Sequence, residues 1–406
     1  MFVYIFVSQV IVLLYKHLYL QIQKIIERFK MKKITLLLTA ALWVGILLPE
    51  AKAQDANLNV ITTGVPFLTI GPDAIAGGKG DVGAATAPDL FSQHWNPAKY
   101  AFIKEDMGVG LSYTPWLKRL VSDIGLSSLV GYKRLDDLQT VSASLNYFSL
   151  GEVFLTNDQG ASTGTSSPNE FSFDVAYTRL LSDNFSGSVA LRIINSDFAL
   201  NVDGYYPGFA YSSDVSFYYQ KEIRMNRKNS LFSSGISISN IGSKISYDKG
   251  NTKDFIPTNL RLGFGYRTEM DKYNAFSIFA DANKLLVKTP NNNETPEEYS
   301  SSSVLAGMFK SFSDASGGMK EELQEISLSV GAEYEYNKQF TIRAGYNHEN
   351  QNKGNRKYAT VGAGLKMNVF ALDFSYLFSV AQNNPLDNTL RFTLSFDFEA
   401  FSKQRK

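Results

Sequence analysis

The chain contains no cysteine among its 406 residues. Disulfide scaffolds, Cys-zinc sites, iron–sulfur clusters and thiol catalysis are therefore excluded. It has three histidines, His17, His94 and His348, too few for a multi-His metal centre. No metal, cofactor or catalytic constellation is expected. Charged residues make up 19% of the sequence, below the ~25% of an average soluble protein. Lys+Arg total 40 against 39 Asp+Glu, a net charge of +1. There is no basic excess of the kind that phosphate backbones require, so no nucleic-acid partner is expected. After residue 53 no apolar run is long enough for a membrane-spanning helix. What the chain has instead is aromatic residues, with 22 Tyr and 29 Phe, at a mean hydropathy of −0.14. Many aromatics, few charges and near-neutral hydropathy point to a membrane β-barrel, whose strands alternate apolar and polar residues.

Residues 31–53 read MKKITLLLTAALWVGILLPEAKA. Met31-Lys32-Lys33 is a basic start, Ile34 to Leu48 an apolar stretch, and Ala51-Lys52-Ala53 an A-x-A cleavage site. Together they predict a signal peptide that leaves Gln54 as the new N-terminus. Residues 1–30 are read as an extension upstream of a start at Met31; the alternative is an uncleaved anchor. Export leaves a mature protein that is either soluble in the periplasm or a barrel in the outer membrane.

From residue 107 onward the hydrophobic period is two. In 389–398 Leu390, Phe392, Leu394, Phe396 and Phe398 face one way, and Arg391, Thr393, Ser395 and Asp397 the other. Phe370, Leu372, Phe374, Tyr376 and Phe378 likewise oppose Asp373 and Ser375. Fourteen such segments can be counted, near 107–115, 124–133, 138–148, 170–181, 184–195, 213–222, 229–239, 258–268, 273–284, 325–336, 339–347, 357–367, 369–379 and 389–398. Their length and alternation fit tilted barrel strands.

The connections alternate strictly between long and short. Leu135-Asp136-Asp137, Ser182-Asp183 and Asn337-Lys338 are turns, whereas 149–169, 196–212, 240–257 and 285–324 are long. An outer-membrane barrel has an even strand count, short periplasmic turns and long extracellular loops. A soluble β-sandwich has no reason to send its long loops to one end. The expected fold is thus an all-β, 14-stranded antiparallel transmembrane barrel, with periplasmic termini and extracellular long loops. Its apolar face meets outer-membrane lipid. Asp174, Arg192, Arg261, Arg343, Asp373, Arg391 and Asp397 are expected to point into the lumen and pair there.

Residues 54–106 are rich in Gly, Pro and small side chains and do not alternate. They are expected to form a hatch or plug ahead of a barrel at 107–406, because Phe67, Leu68, Ile70, Phe91 and Trp95 would otherwise face water. A disordered periplasmic arm is the alternative. Within this segment the run Val65–Asp73, the block Ala76–Ala85 and Ser92–Phe102 (SQHWNPAKYAF) resemble the PorV family. So do Ser239–Ile245 (SNIGSKI) and Phe255–Gly263 (FIPTNLRLG). The chain departs from that pattern in residues 1–30 and in the tail beyond Phe401.

The resemblance implies an outer-membrane component of a type IX secretion system with a barrel similar to the FadL fatty-acid channels. Asn96-Pro97-Ala98, preceded by His94 and Trp95, would match the NPA motif of FadL-like hatches. It further implies a non-enzymatic role. Cargo carrying a C-terminal signal domain would be received at the large translocon barrel and delivered to an attachment complex containing a PorU-type sortase. From the residues themselves, docking belongs on the long loops. Tyr205, Tyr206, Phe209 and Tyr211 combine apolar area with mostly hydroxyl-bearing rings. In the 40-residue stretch 285–324, Leu305, Met308, Phe309 and Phe312 predict a short amphipathic helix, packed over the barrel mouth or inserted into a partner; packing of the loop on itself is the alternative.

Two motif matches fail on context. Gly160-Ala161-Ser162-Thr163-Gly164 fits G-x-S-x-G but sits in a Gly/Ser/Thr-rich loop, not between a strand and a helix. Gly78-Lys79-Gly80-Asp81-Val82-Gly83 fits G-x-G-x-x-G without a βαβ unit. Two other functions stay open at this point. One is a FadL-like channel for hydrophobic small molecules. The other is an outer-membrane lipid hydrolase, which would have to build a Ser-His-acid set from His94 or His348.

Overall fold

The computed structural model describes residues 59–117, 121, 123–156, 159–198, 204–225, 228–289, 295–381 and 386–398. The signal-like segments at 1–53 lie outside the described residues. Fourteen strands close into one antiparallel barrel, as the alternation predicts. They are β1 (Met107–Pro115), β2 (Ile124–Arg134), β3 (Gln139–Leu150), β6 (Asn169–Ser182), β7 (Phe185–Asp197), β8 (Gly208–Met225) and β9 (Lys228–Gly242). The remainder are β10 (Asn259–Glu269), β11 (Asn274–Leu285), β12 (Ser327–Tyr336), β13 (Phe340–His348), β14 (Lys357–Lys366), β15 (Phe370–Ser379) and β16 (Thr389–Asp397). Two short strands, β4 (Val153–Thr156) and β5 (Ser162–Ser166), form a separate hairpin within the β3–β6 connection.

Each barrel strand pairs with its neighbour in sequence, and β1 closes on β16 with Tyr113 opposite Phe392 and Leu111 opposite Leu394. Closure leaves no free edge, which hydrocarbon would not tolerate. Because the meander is antiparallel, the long connections share one rim and the short turns the other. The turn at Asn337-Lys338 shows how the short ones are made. Both residues have positive φ, 54° and 55°, as the favoured hairpin turns require.

The burial pattern is that of a soluble protein turned inside out. Along β7, Val189, Leu191 and Ile193 are exposed while Ser188, Ala190 and Arg192 are buried. Leu191 is 68% exposed and Arg192 only 8%. The same inversion runs through β15, where Leu372, Phe374 and Phe378 face out and Asp373 and Ser375 face in. In water such an apolar belt would be untenable; against lipid it is the stable arrangement.

The strand boundary that departs furthest from expectation is the start of β8. Strand β8 begins at Gly208, where the sequence suggested a loop to residue 212. Phe209 and Tyr211 pair with Asn195 and Ile193 and extend the outward face of the sheet. They therefore belong to the barrel wall and not to a free loop. The alternation of Phe and Tyr with Ala210 and Ser212 continued past the predicted end.

Candidate functional site

Residues 64–103 pack against the inward side chains of nearly every strand. A short helix, α1 (Ala74–Gly77), is N-capped by Asp73, whose carboxylate accepts from the Ala76 N–H at 2.8 Å. The other Asp73 oxygen accepts from Trp95 Nε1 at 2.6 Å. Burial, with the Asp89 carboxylate next, pushes Asp73 up to about 6. A second turn, α2 (Ser92–Trp95), leads to Asn96 and a 3₁₀ turn at Pro97–Phe102. Asn96 caps that turn by accepting from the Ala98 N–H at 3.1 Å. Its amide nitrogen donates to the Ala84 and Phe217 carbonyls at 2.9 and 3.0 Å. Asn96 thus ties two parts of the segment to β8, and Pro97 at the first helical position lacks an N–H that would go unused there.

A buried irregular segment must place its backbone polar groups somewhere. Here the inward Ser, Thr and Asp residues receive them. Ala74 N–H donates to Thr393 Oγ1 and Gly80 N–H to Thr360 Oγ1, each at 2.9 Å. Gly83 and Ala84 both donate to Asp281 Oδ2, at 2.8 and 2.9 Å. In the other direction Thr178 donates to the Pro97 carbonyl at 2.9 Å, and Ser186 to that of Ala98 at 2.6 Å. The polar half of the strand alternation is matched to this segment, not merely to water.

Inward glycines supply the room. A Cβ built on Gly235 would lie 2.1 Å from the Ala84 carbonyl oxygen, and one on Gly345 2.1 Å from the Lys79 carbonyl carbon. Gly263 and Gly331 meet Ala84 and Lys79 at 2.6 and 2.5 Å. The strand alternation places such glycines on the inward face without assigning them a role, although a glycine inside a strand marks close backbone approach.

The charged residues form buried clusters. Arg192 reaches Asp174 at 3.4 Å and Asp214 at 2.9 Å, and also contacts Asn240. Arg343 bridges Glu333 at 2.8 Å and Asp373 at 2.5 Å. Arg391 pairs with Asp81, which also accepts from Tyr358 Oη at 2.6 Å. Arg261 is different: it donates to Asn283 at 2.7 Å and stacks 4.5 Å from the Trp95 ring centre. The Asp397 side chain lies outside the described residues. His94 meets Trp95 edge-on at 4.8 Å, and its pKa is held well below the ordinary value by burial, then by Arg261, Arg192 and Arg391. His348 is exposed on β13.

A cavity of about 450 Å³ is lined by this segment, by inward strand residues and by Glu325, Glu349, Lys353 and Arg356 of the long-loop rim. Beside it the β11–β12 connection carries α3 (Pro296–Ser301), α4 (Val304–Lys310) and α5 (Met319–Gln324). This connection is strapped down by ions. Lys353 bonds Glu321 at 2.6 Å and Glu325 at 3.0 Å, while Lys284 bonds Glu322 at 3.1 Å and Glu325 at 2.5 Å. The Lys353 hydrogen bond above all lowers Glu321 from 4.5 to about 2. Ionised Glu321 therefore stabilises the strap fully above about 4.5; that contribution fades on acidification and is gone below about 2. Hydrogen exchange of residues 319–325, corrected for intrinsic pH dependence, should show weaker protection at pH near 2 than at pH near 6. Lys353→Met should weaken protection at pH near 6 and change it little at pH near 2, so that the pH dependence flattens.

Of the loop residues singled out, Tyr205 and Tyr206 are exposed. Leu305 and Phe312 are exposed and Phe309 is 78% exposed, whereas Met308 is buried. Met308 is therefore removed from the docking candidates: on a single short helix it occupies the packed face.

The model of the type IX secretion system protein PorV matches residues 52–292. The chain belongs to the PorV family. That membership, with the closed barrel, makes it a bacterial outer-membrane protein associated with type IX secretion. No curated protein matches the chain. Among solved structures, the TodX deltaS2S3 mutant monoaromatic hydrocarbon channel shares 10% identity at a TM-score of 0.50, over 80% of this chain and 98% of its own. A Pseudomonas aeruginosa FadL homologue shares 10% at 0.44, over 84% of this chain and 99% of its own. The Ralstonia pickettii toluene transporter TbuX shares 10% at 0.42, over 84% and 97%. At 10% identity and a TM-score of 0.50, the likeness to the TodX variant speaks to the fold alone.

Proposed function

We propose that this PorV-family barrel is a non-enzymatic docking protein. It binds cargo bearing a C-terminal signal domain at the translocon barrel and delivers it to a surface attachment complex with a PorU-type sortase. Residues 54–106 act as the hatch, closing the lumen so that the barrel presents a surface and not a pore. The long loops lie outside the cell and both termini in the periplasm. The observation that carries the reading is the exposed apolar face of Val304–Lys310, with Leu305 and Phe309 turned away from the barrel in a family tied to secretion. Large exposed apolar groups on a strapped loop favour a protein partner. The charged groups in the cavity wall, Asp81, Arg192 and Arg261 among them, disfavour a path for hydrophobic small molecules.

Deleting 295–318 should leave barrel assembly intact and abolish surface delivery of cargo. Normal surface display by that variant would reject the reading. Phe309→Ala alone is expected to weaken partner capture by about 30-fold if the ring is an anchor worth about 2 kcal/mol.

A further inference from the structure

We propose that the lumen cavity binds a small hydroxylated monocarboxylate through the guanidinium of Arg261. The inference rests on lumen geometry and is independent of the docking reading above.

The cavity's size, about 450 Å³, lies in the range of small-molecule sites. Its other arginines are already engaged. Arg192 holds Asp174 and Asp214, and Arg356 holds Glu349. Arg261 uses only Nε, on Asn283 Oδ1 at 2.7 Å. Among the described residues no carboxylate lies within 4.0 Å of its guanidinium, and no acceptor bonds its two terminal nitrogens. Four N–H groups thus remain in one plane beside the cavity. The plane is fixed from below by Trp95, 4.5 Å from the guanidinium carbon to the ring centre, and from the side by Asn283. A pre-oriented fork of this kind matches the two oxygens of a carboxylate.

The rest of the lining sets the ligand's character. Asn240, Asn259, Asn283 and Ser329 offer amide and hydroxyl groups to the hydroxyls of a ligand, while Leu68 and Leu285 cover its carbon skeleton. Four cations (Arg192, Arg261, Lys353 and Arg356) against three carboxylates (Asp81, Glu325 and Glu349) leave the lining one formal positive charge, which a single carboxylate neutralises and a second negative charge would exceed. A singly charged carboxylate fits better than phosphate. His94, held neutral by burial and three neighbouring arginines, does not compete for the fork and adds no charge.

The test is calorimetric titration of the full chain in detergent with gluconate, using sorbitol as the neutral analogue and inorganic phosphate as the dianionic comparator. Gluconate should bind saturably and sorbitol should not. Arg261→Gln should weaken gluconate binding by about tenfold or more, the scale of a charged hydrogen-bond pair. Arg261→Lys should also weaken it, because a point charge cannot reproduce the fork. Absence of saturable gluconate binding would overturn the proposal. So would equal binding of sorbitol, tighter binding of phosphate, or unchanged affinity in folded Arg261→Gln. Should Arg261→Gln fail to fold, the comparison of gluconate with sorbitol and phosphate on the native chain decides alone.

Discussion

Gly345→Val is expected to expel residues near Lys79 from the lumen while leaving the barrel closed. A Cβ at Gly345 would stand 2.1 Å from the Lys79 carbonyl carbon and 2.2 Å from the Gly80 nitrogen. Both are backbone atoms, so no side-chain rotation relieves the clash. Gly80 is itself at φ +73° and Asp81 at +62°, which leaves this turn little freedom to adjust. Ordinary overpacking costs about 1–3 kcal/mol, and a fixed backbone neighbour puts this site at the upper end. Opposing it at this turn is the Gly80 hydrogen bond to Thr360, worth about 1 kcal/mol net, whereas the bonds of Gly83 and Ala84 to Asp281 lie further along the segment. The clash should win locally, whereas the strand ladders, with β13 paired on both sides, should hold. Lys79 is buried in the native chain and should resist trypsin there. In Gly345→Val it should be cut, while the heat-modifiable electrophoretic shift of a folded barrel persists. Gly131→Ala is the control, since its nearest neighbour would be an ordinary 3.5 Å away. Equal protection of Lys79 in Gly345→Val and the native chain would refute the argument.

The barrel was legible because lipid and lumen impose opposite demands on successive residues, and a period of two survives any detail of packing. Strands β15 and β16 could be read from Phe370–Ser379 and Thr389–Asp397 almost residue by residue. The partners of the inward charges were not legible. Asp81 meets Arg391 across 310 positions, and a pairing of that range leaves no local trace. The start of β8 was misread for a physical reason: Tyr205, Tyr206 and Pro207 form a turn-like cluster, yet the alternation resumes at Gly208. Met308 looked like its exposed neighbours because a helix of seven residues gives too little periodicity to say which side is packed. Gly235, Gly263 and Gly345 carried a readable signal, glycine on the inward face of a strand, and it pointed to the segment they accommodate.

Arg343→Met is expected to destabilise the folded barrel by about 3–5 kcal/mol, the cost of leaving buried carboxylates without their cation. Arg343 is buried and holds Glu333 at 2.8 Å and Asp373 at 2.5 Å. Its loss would leave Glu333 with only Lys79, at 3.7 Å, and Asp373 without an ion pair among the described residues. Lys366→Met should cost at most about 1 kcal/mol, because the Lys366–Glu105 pair at 3.5 Å is largely exposed. Reversible urea unfolding in detergent, followed by the electrophoretic shift, would rank the two. If burial of unpaired charge is the cause, Arg343→Met combined with Glu333→Gln and Asp373→Asn should recover much of the loss, since a neutral cluster carries no comparable desolvation cost. If instead the guanidinium acts mainly by filling space, the triple variant would be at least as unstable as the single one. A cost for Arg343→Met no larger than that for Lys366→Met would contradict the electrostatic account of how this lumen is held together.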